Sequence, residues 1–354
     1  MRRAAADLGV ALLTLALSAC SSLEYFAHLA GGQMALLRAR EPIAEVVADT
    51  RRDPVLRRRL AYALEARQWA VGNLGLPDNA SYTSYADLHR PFTVWNVFAA
   101  GELSLKPLVN CFPVAGCVAY QGYYALNKAE AHAAELRAEG KDTFVAGSLA
   151  YSTLGHFDDP LVSPLLRYDD ARLAATIFHE LSHQVVYVSG ETAFNESFAT
   201  FVERVGGAQW LASRGAAAPK AEFRERDDAF KRLLLQCRAD LQPVYASASL
   251  SDADKRAAKA QRFSRLANDY AALKASWNGW EGYDWFWVTP MNNAKLLPFG
   301  LYHQFVPAFA IIYDQAQRSW PAFYAAVARL AQLTPAQRTA ELTQLMTNAV
   351  SPFP

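Results

Sequence analysis

Residues 178–203, FHELSHQVVYVSGETAFNESFATFVE, begin with two histidines four positions apart around a glutamate. On a helix this spacing puts His179 and His183 on one face, about 6 Å apart along the axis. A Zn²⁺ ion at about 2.1 Å from each imidazole fits between them. Glu180 stands one residue round, off that ligand face, and is placed to act as general base towards the attacking water. A catalytic zinc takes three protein ligands and keeps one position open, so a third donor must come from elsewhere in the chain. Glu196 and Glu203 are the nearby acids. A turn near Gly190 sends the chain back beside the first helix. Extended linking residues cover about twice the helical rise per residue, so the level position is reached early in the second helix. That favours Glu196 as the third ligand, with Glu203 as the alternative.

Outward from this stretch the pattern predicts an α+β fold, a small mixed sheet followed by a mainly helical second half. Residues 24–75 read as helices, one starting at Asp53–Pro54 and ending at Gly75. Strands are expected at FTVWNVFAA (92–100) and DTFVAGSLAY (142–151), with a helix over NKAEAHAAELRAEG between them. Asp169 or Asp170 can cap the histidine helix, expected over about 171–188, and a second helix follows over about 193–212. A helical hairpin is expected over 220–276, then the aromatic WNGWEGYDWFWV, then helix again over 292–347. One domain, 20–354, is expected, with 24–75 packed on 78–215 and a helical part over 220–354.

The chain has 354 residues, 52% hydrophobic, and a formal charge of +1. That charge gives no reason to expect a nucleic-acid partner. Arg2 and Arg3 precede LGVALLTLALSA, an apolar run too short to span a bilayer, so residues 1–19 read as an export signal. The run ends in LSAC, which resembles a lipoprotein processing site. That resemblance implies acylation of Cys20, a membrane anchor, and, with Ser21 following, an outer-membrane location facing the periplasm. In an oxidising compartment Cys111 and Cys117, around FPVAG, can close a short disulfide loop. Cys237 reads as a buried filler.

NESFA (195–199) resembles the NExFA element that follows HExxH in gluzincin metallopeptidases, where the glutamate binds zinc. The resemblance implies Glu196 as third ligand, Asn195 as its orienting neighbour and a zincin-like fold. More widely, LGLPDNASYTSYADL, VWNVFAAGELSL, CFPVAGCVAYQGYY, AYSTLGHFDDPL, FHELSHQVVYV, FNESFATFVE and NNAKLLPFGLYHQFVPAF resemble, in order, the bacterial lipoproteins described as zinc aminopeptidases. They imply a zinc metallopeptidase with one Zn²⁺ ion and a peptide or protein substrate. No GxMEN-like segment is present to hold a substrate amino terminus.

Two alternatives stand beside the aminopeptidase. One is an endopeptidase acting on envelope proteins or peptidoglycan peptides; the other is a non-catalytic zinc-containing assembly lipoprotein. An aminopeptidase needs a carboxylate to pair with the substrate ammonium. For the developing oxyanion, Tyr302 is the favoured donor and His303 the other candidate in that segment. Asn292 and Asn293 can bind peptide backbone or cap a helix. Tyr151 and Ser152 can line the cleft beside an edge strand that pairs with substrate. WNGWEGYDWFWV can form an apolar substrate wall or an ordinary buried cluster. His28, His89, His132 and His156 read as non-catalytic.

Overall fold

The computed structural model describes residues 23–112, 116–150, 152–216 and 221–348. Cys20 and Tyr151 lie outside these residues, and so does the side chain of Tyr302.

Helix α1 spans 23–38 and leads into strand β1 (Arg40–Pro42), helix α2 (Ile43–Ala48) and the long helix α3 (Pro54–Leu74). Asp53 caps α3 by accepting from the Leu56 N–H at 2.8 Å, with Pro54 at the first position. Gly75 ends it at φ 67°, a left-handed conformation that a Cβ would strain. Its buried residues Leu60, Ala63, Ala66, Ala70 and Leu74 recur at helical spacing, so one stripe faces the core.

The strands form small sheets rather than one. Strands β2 (Ser84–Ala86), β3 (Val94–Gly101), β4 (Asn110–Phe112), β5 (Gly116–Val118) and β6 (Gln121–Tyr123) precede helix α4 (Leu126–Ala138); β7 (Lys141–Ser148) and β8 (Leu161–Val162) follow it. The mixed pattern is confined to β1-β2-β8, where β2 runs parallel to β8. The sheet beside the site, β6-β3-β7, is antiparallel, with Val94 opposite Ser148 and Gly101 opposite Lys141. Strands β4 and β5 make a hairpin closed by a disulfide between Cys111 and Cys117.

A 3₁₀ turn (Ser163–Arg167) leads to helices α5 (Asp170–Ser182) and α6 (Thr192–Ser213). The charged hairpin follows as α7 (Ala221–Ala246) and α8 (Asp252–Ser276), then α9 (Asn293–His303), α10 (Val306–Gln315), α11 (Trp320–Ala331) and α12 (Pro335–Asn348). The fold is therefore α+β with a mainly helical second half.

The histidine helix is shorter than its sequence suggests, ending at Ser182 rather than near Val188. The Ser182 hydroxyl donates back to the His179 carbonyl at 2.6 Å, and the Gln184 N–H turns to Leu181, a tighter i→i−3 bond. Such local bonds compete with the helical ladder.

The main core joins α3, α5, α6, α10 and α11 through Leu60, Leu173, Phe178, Phe198, Phe309 and Phe323. Gly206 and Gly207 let α6 lie close to its neighbours. A Cβ on Gly206 would come within 2.6 Å of Leu74, and one on Gly207 within 3.2 Å of Ala175. A separate cluster of Phe230, Leu234, Cys237, Leu266, Tyr270 and Phe286 ties the aromatic loop to the α7–α8 hairpin. Cys237 is a free, buried thiol there.

Candidate metal centre

Asp169 caps α5 by accepting from the Arg172 N–H at 2.8 Å, which fixes where the helix starts. His183 is the residue after its last turn and keeps right-handed helical angles, φ −61° and ψ −20°. It therefore leaves the same face as His179, and the two rings lie 5.0 Å apart, nearly perpendicular.

Helix α6 brings the carboxylate. Glu196 Oε2 lies 3.3 Å from His179 Nε2 and 3.8 Å from His183 Nε2. Donors about 2.1 Å from a tetrahedral ion would be about 3.4 Å from one another, so these separations suit one small cation. Each of the three residues offers one ligand atom, and these atoms lie within 4.8 Å of one another. Among the described residues they are the one His, Cys, Asp and Glu group that could hold a metal.

Glu203, the alternative third ligand, is elsewhere. Its Oε2 lies 3.0 Å from His179 Nδ1, the nitrogen facing away from Glu196. A carboxylate behind a ligating imidazole orients the ring and raises its basicity. His183 Nδ1, by contrast, is buried without a hydrogen-bond partner.

The connector between α5 and α6 is held from both sides. Asn195, 2% exposed, accepts from the Val188 N–H at 2.8 Å and donates to the Val188 carbonyl at 2.8 Å. The disulfide hairpin approaches the next residues, since a Cβ on Gly116 would lie 2.0 Å from Ser189 Oγ and 2.9 Å from the Gly190 nitrogen.

The charge pattern suits a cation. Burial lowers the His183 pKa to about 4, leaving a neutral imidazole. For His179 burial also acts to lower the pKa, but hydrogen bonds to Glu196 and Glu203 outweigh it and raise it well above its usual value. Burial opposes ionisation of Glu196 too, yet the His179 hydrogen bond holds its carboxyl below the ordinary range. Glu180 has no such donor. Burial, reinforced by Glu196, Asp159 and Glu203 against the His179 charge, pushes it up to about 7.

These groups line a cleft of 2860 Å³ that also contains β7, Ser152, Asn292 and His303. Asn292 caps α9 by accepting from the Lys295 N–H at 3.2 Å and donates to the Thr143 carbonyl at 3.0 Å. Asn293 is fully buried and donates to the Glu102 carbonyl at 2.8 Å, so its amide holds this chain's own backbone. His303 lines the cleft with its Nδ1 buried and without a hydrogen-bond partner, and burial, with the nearby charges of Lys231 and Arg204, pushes its pKa down to about 3. The aromatic stretch divides: Phe286 is buried in the second cluster, while Trp285 is 60% exposed and lines the cleft.

The family model described as "Putative aminopeptidase" matches residues 24–342. The chain belongs to this family. The match takes in α1 at one end and most of α12 at the other, so the family pattern extends well beyond the cleft. Its description indicates peptide hydrolysis. Neither the curated proteins nor the solved structures include a match to the chain.

Sequence reasoning missed two features of this aminopeptidase-family site. One is Glu203 behind His179, whose signal was its position seven residues after Glu196, two turns along the same helix face. The other is Asp159, fully buried next to the cleft, whose carboxylate accepts from the Thr153 N–H at 2.7 Å and the Thr153 hydroxyl at 2.9 Å. STLGHFDDP reads only as a turn, with no local sign that one of its acids turns inwards.

Proposed function

We propose that this chain is a zinc-dependent peptidase of the bacterial cell envelope, anchored through an acylated Cys20 in the outer membrane and facing the periplasm. What carries the reading is one carboxylate oxygen, Glu196 Oε2, facing the Nε2 atoms of both helix histidines at 3.3 and 3.8 Å. His179, His183 and Glu196 would hold the zinc, since two imidazoles and a carboxylate are a donor set this ion takes in hydrolytic sites. Bound there, the ion supplies Lewis-acid polarisation of the scissile carbonyl.

Glu180 sits one residue from the first ligand, and burial holds its pKa above the ordinary carboxylate range, which suits a group that accepts a proton and returns it. It takes the proton of the attacking water and passes it to the leaving amine. Glu203 holds the His179 ring through Nδ1 and fixes which nitrogen is presented. Tyr302 is the proposed hydrogen-bond donor to the developing oxyanion; its neighbour His303, kept neutral by burial, can donate from the same segment. Among the described residues no strand pairs with the outer edge of β7 beyond Thr143, and that edge offers backbone pairing for the peptide.

The test is Glu180→Gln. Zinc content, measured by mass spectrometry of the native protein, should stay at one ion per chain, while hydrolysis of a mixed peptide library falls at least a hundredfold. Chelation should abolish the parent's hydrolysis and added zinc restore it. Cleavage undiminished in Glu180→Gln removes Glu180 as the base, and a parent that binds no zinc removes the metallopeptidase reading.

A further inference from the structure

Among the described residues strand β7 lies at the edge of its sheet, and its hydrogen bonds fix which of its residues face outward. The Leu108 N–H donates to the Ala99 carbonyl, so Ala99 and its alternates on β3 turn away from β7. Thr143, opposite Ala99, therefore turns outward, and its carbonyl is indeed the one Asn292 reaches. By the period of two, Val145 and Gly147 also present N–H and C=O on the open side. Residues 143–150 all line the cleft, and the strand part of them, 143–148, gives an edge about 20 Å long at ~3.3 Å per residue. The volume of 2860 Å³ exceeds the roughly 300–1,000 Å³ of a small-ligand pocket.

Most of the cleft's carboxylates are already engaged. Apart from Glu180, and among the described residues, each carboxylate lining it has a partner. Glu130 faces Arg137 at 4.0 Å and Asp228 faces Arg204 at 3.7 Å. Asp227 is held by Lys231 at 2.5 Å and by the Tyr283 hydroxyl at 2.9 Å. Asp169 caps α5, while Glu196 and Glu203 face His179. Outside the metal site, a substrate ammonium thus meets only carboxylates already engaged by a cation, a hydroxyl or a helix N-terminus. What the cleft does leave open is apolar: Trp285 is 60% exposed, Val288 81% and Phe157 50%, and all three line it.

From this, and resting on the peptidase reading above, we infer that the cleft takes an internal, extended, apolar segment of a polypeptide rather than a free amino terminus. Its backbone pairs with Val145 and Gly147, and its bulky side chains lie on Trp285 and Val288. The substrate class is unfolded or extended protein, and the bond cut is internal.

Binding to the zinc-loaded Glu180→Gln protein tests this without turnover, using labelled decapeptides read by fluorescence anisotropy. A Leu/Phe-rich decapeptide should bind with the same affinity, within twofold, whether its amino terminus is free or acetylated. A Ser/Asp-rich decapeptide should bind at least tenfold more weakly. Trp285→Ala combined with Val288→Ala should weaken the Leu/Phe-rich peptide at least fivefold, whereas Val55→Ala, exposed at the start of α3 outside the cleft, should not. Loss of binding on acetylation overturns the inference and leaves the peptidase reading standing. Preserved binding with no cleavage of any decapeptide by the parent supports the binding of an internal segment and overturns the internal cut together with the peptidase reading.

Discussion

Glu203 Oε2 lies 3.0 Å from His179 Nδ1, on the opposite side of the imidazole from Glu196. The two carboxylates of α6 thus hold one ring between them, one on each nitrogen. Only the Glu196 side also meets His183.

This arrangement makes Glu203 a positioning group. Glu203→Ala should reduce zinc affinity about 10–100-fold, the usual cost of losing an outer-shell carboxylate. Glu203→Gln, which can still accept from Nδ1–H, should lose less. Competition with a chromophoric chelator measures both, and equal affinity in parent and Glu203→Ala would remove the role.

Asn195 fastens the connector that sets Glu196 opposite the histidines. Asn195→Ala would leave the Val188 N–H without its partner and take one of two bonds from the Val188 carbonyl, which also accepts from the Glu191 N–H at 3.1 Å, at about 1–3 kcal/mol in all. Urea unfolding should show that loss, and zinc affinity should fall with it because Glu196 follows directly in the chain. A variant as stable as the parent would show that water replaces the amide.

Gly116 and Gly140 form a matched pair. Both have positive φ, 72° and 78°, so alanine at either costs about 1–2 kcal/mol of backbone strain. Nothing lies within 4 Å of a Cβ on Gly140, whereas one on Gly116 would meet Ser189 and Gly190. Gly116→Ala should therefore also weaken zinc binding, by shifting the connector, and Gly140→Ala should not. Identical zinc affinities would show that the hairpin does not bear on the site.

Asp159 predicts a pH dependence. Burial raises its pKa from 3.8 to about 6 despite the hydrogen bonds from Thr153. The folded state therefore holds the proton more tightly than the unfolded chain. Its contribution is complete below about pH 4 and is lost as pH rises through 6, by about 3 kcal/mol. Measured from pH 4 to pH 7, the stability of Asp159→Asn relative to the parent should rise by up to that amount. A constant difference across this range would show that Asp159 ionises in the fold as it does unfolded.

Much of the architecture was legible because it rests on short-range rules. Asp53 and Asp169 cap the helices they were expected to cap, Gly75 ends α3, and β3 and β7 fall on the two runs rich in aromatic and β-branched residues. The end of α5 was misplaced because the Ser182 hydroxyl competes locally with the helical ladder, which hydrophobic periodicity does not register. The single mixed sheet proved to be several small ones, since strand pairing depends on partners distant in sequence.

By itself, then, the sequence determined that His179 and His183 share a helix face with Glu180 beside them, because the four-residue spacing follows from helix geometry alone. It favoured Glu196 over Glu203 as the third donor, but it could not give Glu203 its place behind His179. That choice depends on how closely α6 lies against α5, which Gly206, Gly207 and the Asn195 clasp decide through contacts between separate elements. The open edge of β7 and the Arg204–Asp228 pair between α6 and α7 were likewise decided only in the tertiary structure, where groups on separate elements meet.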